Sequence, residues 1–260
     1  MNTLGWIILF TFMGGALSAL VASTFLLLPE RTRSRALPYL VAFATGALLG
    51  AALLGLLPEA IEHSPDHDVS AVGLSLLGGI ALFFVLEKLV LWRHCHQDHC
   101  ETHAPGHSHR EQASSAMLLV GEGVHNALDG VLIAAAFMTD VRLGIVAGLA
   151  VMTHEIPSEV GNFAVLLQGG MSRLRALACN LATSLGSIVG GIVGYFALSQ
   201  ALVALPYALG VSAASLLYVA VADLIPGLHR RIDPRDSFWQ VVLMTAGVLT
   251  IAGVQQLFPH

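Results

Sequence analysis

The side chains most able to do chemistry fall in two short runs, GEGVHNALDG at 121–130 and HEIPSEVG at 154–161. The first holds Glu122, His125, Asn126 and Asp129; the second holds His154, Glu155, Ser158 and Glu159. On a helix, His125 and Asp129 share one face, about 6 Å apart along the axis, and Glu122 lies a turn before them. His154 and Ser158 share a face in the same way, as do Glu155 and Glu159. Pro157 has no backbone N–H and crowds the carbonyl of Thr153, so it is expected to bend its helix and free a carbonyl beside His154. Imidazole, carboxylate and amide oxygen together suit a divalent transition metal, with Zn, Fe, Mn, Co and Cd all compatible.

Both runs lie inside apolar stretches long enough to cross a bilayer. Ionisable groups at that depth cost about 2.5–3.5 kcal/mol each on insertion scales. A polar network between helices would explain one such residue. It does not explain two His and several carboxylates with no Lys or Arg beside them, which need a cation. Glu122 and Glu159 read either as ligands or as groups that hold ligands in place.

The elements that must position these residues are membrane helices. Of 260 residues, 55% are hydrophobic and 11% charged, against about 25% charged in a soluble domain. Eight apolar spans are read, at 4–28, 37–58, 70–92, 114–138, 142–168, 173–197, 202–223 and 238–257, each near the length that a bilayer requires. The expected fold is therefore an all-α integral membrane protein of one domain. The first span reads as a retained helix, since no basic leader precedes it. The ends LLPE at 56–59 and LIPG at 224–227 echo one another. They suggest an inverted repeat, spans 1–3 against spans 6–8, around spans 4 and 5.

If the loops alternate sides, all of the 12 Lys and Arg except Arg142 fall on one side. The positive-inside rule makes that side cytoplasmic and puts both termini outside. A plasma-membrane, multi-pass protein is expected. The loop at 93–113 is then cytoplasmic. It carries His94, Cys95, His96, His99, Cys100, His103, His107 and His109, a flexible tract suited to weak metal chelation. With Cys179 the only other cysteine, no disulfide framework is present. Nothing resembles a basic nucleic-acid surface, and no phosphate-binding loop is present. The lipid bilayer and divalent metal ions are the expected partners; a homodimer is left open.

The paired runs GEGVHNALDG and HEIPSEVGNFAVLLQGG resemble the ZRT/IRT-like (ZIP) family of divalent metal transporters, in particular the subfamily whose fifth helix reads HEIPHE. The resemblance implies a binuclear metal site half-way across the membrane. One metal would use His125, Asp129 and His154, and the second Asn126, Asp129 and Glu155. It also implies a sixth-helix ligand at Asn180. Ser158 stands where the family commonly has a further ligand, and Ala51 and Gly55 stand where the subfamily often has Asp and His. The expected function is movement of divalent metal, zinc above all, into the cytoplasm. The rival is an intramembrane zinc-dependent hydrolase, but HEIPSE lacks the second His of HExxH. A metal sensor signalling through the His-rich loop is a third reading.

Overall fold

The computed structural model describes residues 2–25, 27–95, 107–168, 170–229 and 233–257. These form eight long helices and no strand. We number them α1 (Thr3–Phe25), α2 (Glu30–Gly50, continued by Ala51–Leu56 and Leu57–Glu62), α3 (Val69–Cys95), α4 (His107–Thr139), α5 (Val141–Gln168), α6 (Arg173–Ser199), α7 (Leu202–His229) and α8 (Pro234–Leu257). Six are long and apolar enough to cross a membrane. The other two, α4 and α5, are those that carry the polar runs. The second helix starts earlier than its hydropathy suggests, at Glu30, and takes Pro38 into its interior.

Local chemistry accounts for the breaks. Asp68 Oδ1 accepts the N–H groups of Ser70 and Ala71 at 2.9 and 3.0 Å and starts α3. Asp140 stands alone between α4 and α5, and its Oδ1 accepts the N–H of Arg142 at 2.7 Å. Ser172 and Asp233 open α6 and α8 in the same way. Each cap satisfies a donor that the helix cannot satisfy itself. In contrast, α5 runs on through Pro157 without ending there. In α2 and α7 a π-helical stretch of 6 residues, Ala51–Leu56 and Val219–Leu224, ends two residues before Pro58 and Pro226 respectively. A proline cannot bond back to the preceding turn, and the wider π-turn absorbs the mismatch.

The helices form two groups, α1, α4, α5 and α6 against α2, α3, α7 and α8. Within the first, α4 packs chiefly on α6, and α1 on both α5 and α6; within the second, α2 packs on both α8 and α7, and α3 on α7. Backbones touch at the α4–α6 crossing. A Cβ on Gly130 would lie 2.0 Å from the Ser187 carbonyl oxygen, and one on Gly190 would lie 1.9 Å from that of Ala127. Small residues at such crossings are what membrane helices use to approach closely. Trp6 and Phe10 of α1 and Phe137 of α4 form an aromatic cluster, with Phe10 and Phe137 centroids 5.1 Å apart.

Contacts between helix ends define the two ends of the bundle. At one, Arg142 of α5 bonds Glu59 of α2 at 3.0 Å and the Gln255 carbonyl of α8 at 3.4 Å. We call this the acidic end, after the adjoining loop 62–68. At the other, the basic end, the Tyr39 hydroxyl of α2 lies 3.2 Å from Asp236 of α8, and Gln240 of α8 donates to the Leu228 carbonyl of α7.

Candidate metal centre

Half-way along α4 and α5, four side chains converge. His125 Nε2 and His154 Nε2 face each other at 3.3 Å. Asp129 Oδ2 lies 3.7 and 3.3 Å from these nitrogens, and Glu155 Oε1 lies 3.3 and 3.5 Å from them. One ligand atom from each of the four fits within 4.8 Å of the others. Asp129, His154 and Glu155 are buried, at 1%, 2% and 0% exposure, and among the described residues the ion pairs of the four are with one another.

The tautomer of His154 follows from its second nitrogen. Its Nδ1 lies 3.2 Å from the Ala150 carbonyl oxygen. A carbonyl only accepts, so Nδ1 carries the proton of the neutral ring and Nε2 presents its lone pair to the cluster. That is how metal-binding imidazoles are usually oriented. Both oxygens of Asp129 and both of Glu155 lack a properly aligned hydrogen-bond donor. Buried acceptors in that condition are rare unless something else binds them. A nitrogen-and-carboxylate donor set of this kind suits a divalent transition metal.

A second set of ligand atoms comes from Glu122, Glu155 and Glu159, again within 4.8 Å of one another. Glu159 Oε1 is 2.9 Å from the Ser184 hydroxyl, which also lies 2.7 Å from the Asn180 carbonyl. Asn126 turns its amide N–H toward the Glu122 carbonyl at 3.1 Å and leaves Oδ1 buried without a donor. Asn180 is fully buried, and no hydrogen bond ties its amide to either set. Ser158 is half-buried and lines the cavity described below. Its hydroxyl does not bond back to the His154 carbonyl, although the neighbouring Thr153 does bond its own preceding turn.

The centre lies at the blind end of a cavity of about 690 Å³, whose wall includes His125, His154, Glu122 and Ser158. Leu37 at the start of α2, Leu89 late in α3 and Leu224 late in α7 also line it, so it runs toward the basic end.

Several participants carry no local sequence signal. Ser184 is one serine in a Gly- and Ala-rich helix. Asp223 reads as a helix-end residue, yet it lines the cavity. Glu87 reads as half of an interfacial pair with Lys88, but its partner is the Tyr218 hydroxyl, while Lys88 lies over the Phe84 ring. In the His-rich tract, His96, His99, Cys100 and His103 lie outside the described residues, as do the side chains of His94, Cys95, His107 and His109.

An interior imidazole–carboxylate cluster, packed among six helices long and apolar enough to cross a membrane, is what a multi-pass membrane protein with residues that could hold a metal ion presents. The family model described as ZIP zinc transporter matches residues 3–116 and 93–255. The chain belongs to the ZIP zinc transporter family. It is 32% identical to zinc transporter ZIP13 of Pongo abelii over 83% of this chain and 66% of the relative. It is 34% identical to zinc transporter ZIP5 of Homo sapiens over 88% of this chain and 53% of the relative. With zinc transporter YKE4 of Saccharomyces cerevisiae it shares 32% over 74% of this chain and 61% of the relative. The chain thus spans between half and two thirds of the length of these relatives.

Proposed function

We propose that this chain carries divalent metal, zinc first among them, into the cytoplasm across the plasma membrane. Iron, manganese, cadmium and cobalt are further candidate substrates. The observation that carries the proposal is the convergence of His125, Asp129, His154 and Glu155 at the blind end of a cavity open to one end of the bundle. Two imidazoles and two carboxylates replace the hydration shell of the ion, and the carboxylates offset its charge where the bilayer cannot. The names of the relatives, all zinc transporters, support the choice of zinc.

In this reading α4 and α5 cross the bilayer along with the six more apolar helices, their polar faces turned inward. The Lys and Arg distribution puts the basic end in the cytoplasm and both termini outside. The cavity then opens inward. Transport needs a second state open at the acidic end, reached by moving the group of α1, α4, α5 and α6 against the other.

An inverted repeat is part of the proposal. Exchanging α1–α3 with α6–α8 swaps the α2–α8 and α7–α3 pairs, and likewise the α1–α5 and α6–α4 pairs. Each is an observed packing. The matched π-stretches ahead of Pro58 and Pro226 support the same correspondence.

The test is metal flux into vesicles containing the purified chain. Asp129→Asn keeps the shape and removes a charge shared by both imidazoles. It is expected to lower zinc uptake and zinc affinity together, by at least tenfold. Normal flux at matched insertion would place the pathway elsewhere. Peptide or lipid cleavage without flux would favour a hydrolase.

A further inference from the structure

The His centre uses only part of the acidic equipment of α4 and α5. Glu122 lies three residues before His125, and Glu159 four after Glu155. Because α4 starts and α5 finishes at the basic end, Glu122 sits about 4.5 Å nearer that end than His125, and Glu159, five residues after His154, about 7.5 Å nearer than His154. With Glu155 they bring three carboxylate oxygens within 4.8 Å. Exposure is 9% for Glu122 and 0% for Glu155 and Glu159.

Proximity alone would not make this a site. The further observation is that the oxygens are left without donors. Glu155 turns Oε1 toward the two imidazoles, while its Oε2 is buried and unbonded. Glu159 takes Ser184 on Oε1 and leaves Oε2 buried and unbonded. Glu122 Oε1 is in the same condition. Three close buried carboxylates repel one another unless a cation or protons intervene. A divalent ion bound by all three would satisfy each of these oxygens at once.

We infer that Glu122, Glu155 and Glu159 form a second, oxygen-only site for a divalent cation, a turn nearer the basic end than the His centre and sharing Glu155 with it. It differs in composition from the second position that the family resemblance implies, which uses Asn126 and Asp129. The inference rests on reading the cavity as the ion's path. Glu122 lines that cavity, so the second site stands between the His centre and the exit. Oxygen-only sites hold zinc less tightly than sites with imidazole and accept harder ions such as manganese. An ion moving from the first to the second exchanges nitrogen ligands for weaker oxygen ones. It keeps Glu155 throughout, which favours release.

Manganese is the probe, because the imidazole- and thiol-rich tract at 94–109 competes weakly for it. Its binding to the purified full-length chain is measured by the electron paramagnetic resonance signal of the free ion. Nitrogen coupling in the spin-echo spectrum reports imidazole ligation. The expected result is a bound manganese with no imidazole coupling. Its affinity should fall at least tenfold in Glu122→Gln and in Glu159→Gln but be largely kept in His125→Ala. Two variants guard against one failing to fold, and size-exclusion profiles identify such a failure. Unchanged affinity in both glutamine variants would overturn the inference. So would bound manganese with imidazole coupling that is lost in His125→Ala. Vesicle flux is scored separately: absent flux overturns the transport reading, while the binding result still decides this site.

Discussion

At the residue scale the informative position is Ser158, one turn after His154 and on the cavity wall. Its hydroxyl is a weaker ligand for transition metals than imidazole or carboxylate, and it makes no bond to the preceding turn that would hold it away. Ser158→His is expected to add a third imidazole to the centre. Zinc retained after gel filtration should rise, and release into vesicles should slow several-fold. Ser158→Ala should leave zinc affinity within about twofold. Metal content and flux of both variants check this; identical values for all three proteins would remove Ser158 from the vicinity of the ion.

The same scale shows what the sequence makes legible. His125 with Asp129, His154 with Ser158, and Glu155 with Glu159 could be read because helical periodicity alone puts such residues on one face. Whether Glu155 would join the His pair, the other glutamates, or both could not be read. That depends on how α5 is rotated against α4, which is a tertiary property. Ser184 becomes visible only when α6 lies against α5. The Glu87–Tyr218 pair spans 131 residues of sequence and has no local trace. The positions at 96–106 are open to compositional argument alone.

At the scale of the element, apolar runs and caps announce the helices well, and hydropathy ranks them in a misleading order. The two helices that carry the chemistry are those that fail a purely apolar test. Their place in the bundle depends on close crossings instead. Gly190→Ala would bring a Cβ to within 1.9 Å of the Ala127 carbonyl. It should force α6 off α4 at a cost of about 1–3 kcal/mol, the usual range for overpacking. Gly253→Ala in α8 meets nothing within 4 Å and should stabilise by about 0.5–1 kcal/mol through the unfolded chain. Thermal unfolding of the two variants in one detergent provides the comparison. A Gly190→Ala protein as stable as its parent would show that the crossing yields readily.

For the whole molecule, orientation decides the direction of traffic. A membrane-impermeant thiol reagent applied to intact cells should leave Cys95 and Cys100 unmodified, as read by mass spectrometry, because the proposed topology has them inside. Their ready modification from outside would reverse the topology and the sense of transport.

Arg142 has a consequence at this same scale. Among the described residues it is the one Lys or Arg of the acidic end, and it ties α5 of one helix group to Glu59 and the Gln255 carbonyl of the other. With 15% and 9% side-chain exposure, the pair is screened only weakly by salt. Behind it, Gly55 faces Val146 and Leu143 across the same seam. On the proposed transport reading, a carrier latched here would spend most of its duty cycle facing the basic end. An ion arriving at the acidic end therefore meets a receptive molecule only in the fraction of time that the latch is open. Its apparent dissociation constant is the intrinsic one divided by that fraction. Each 1.4 kcal/mol taken from the latch raises the fraction about tenfold while it remains small. Glu59→Gln should thus lower the half-saturating metal concentration for uptake without altering any ligand of the His centre. A cysteine at Leu143, a position 2% exposed, should become reactive to thiol reagents in the same variant. If neither changes, the apolar seam closes that end unaided.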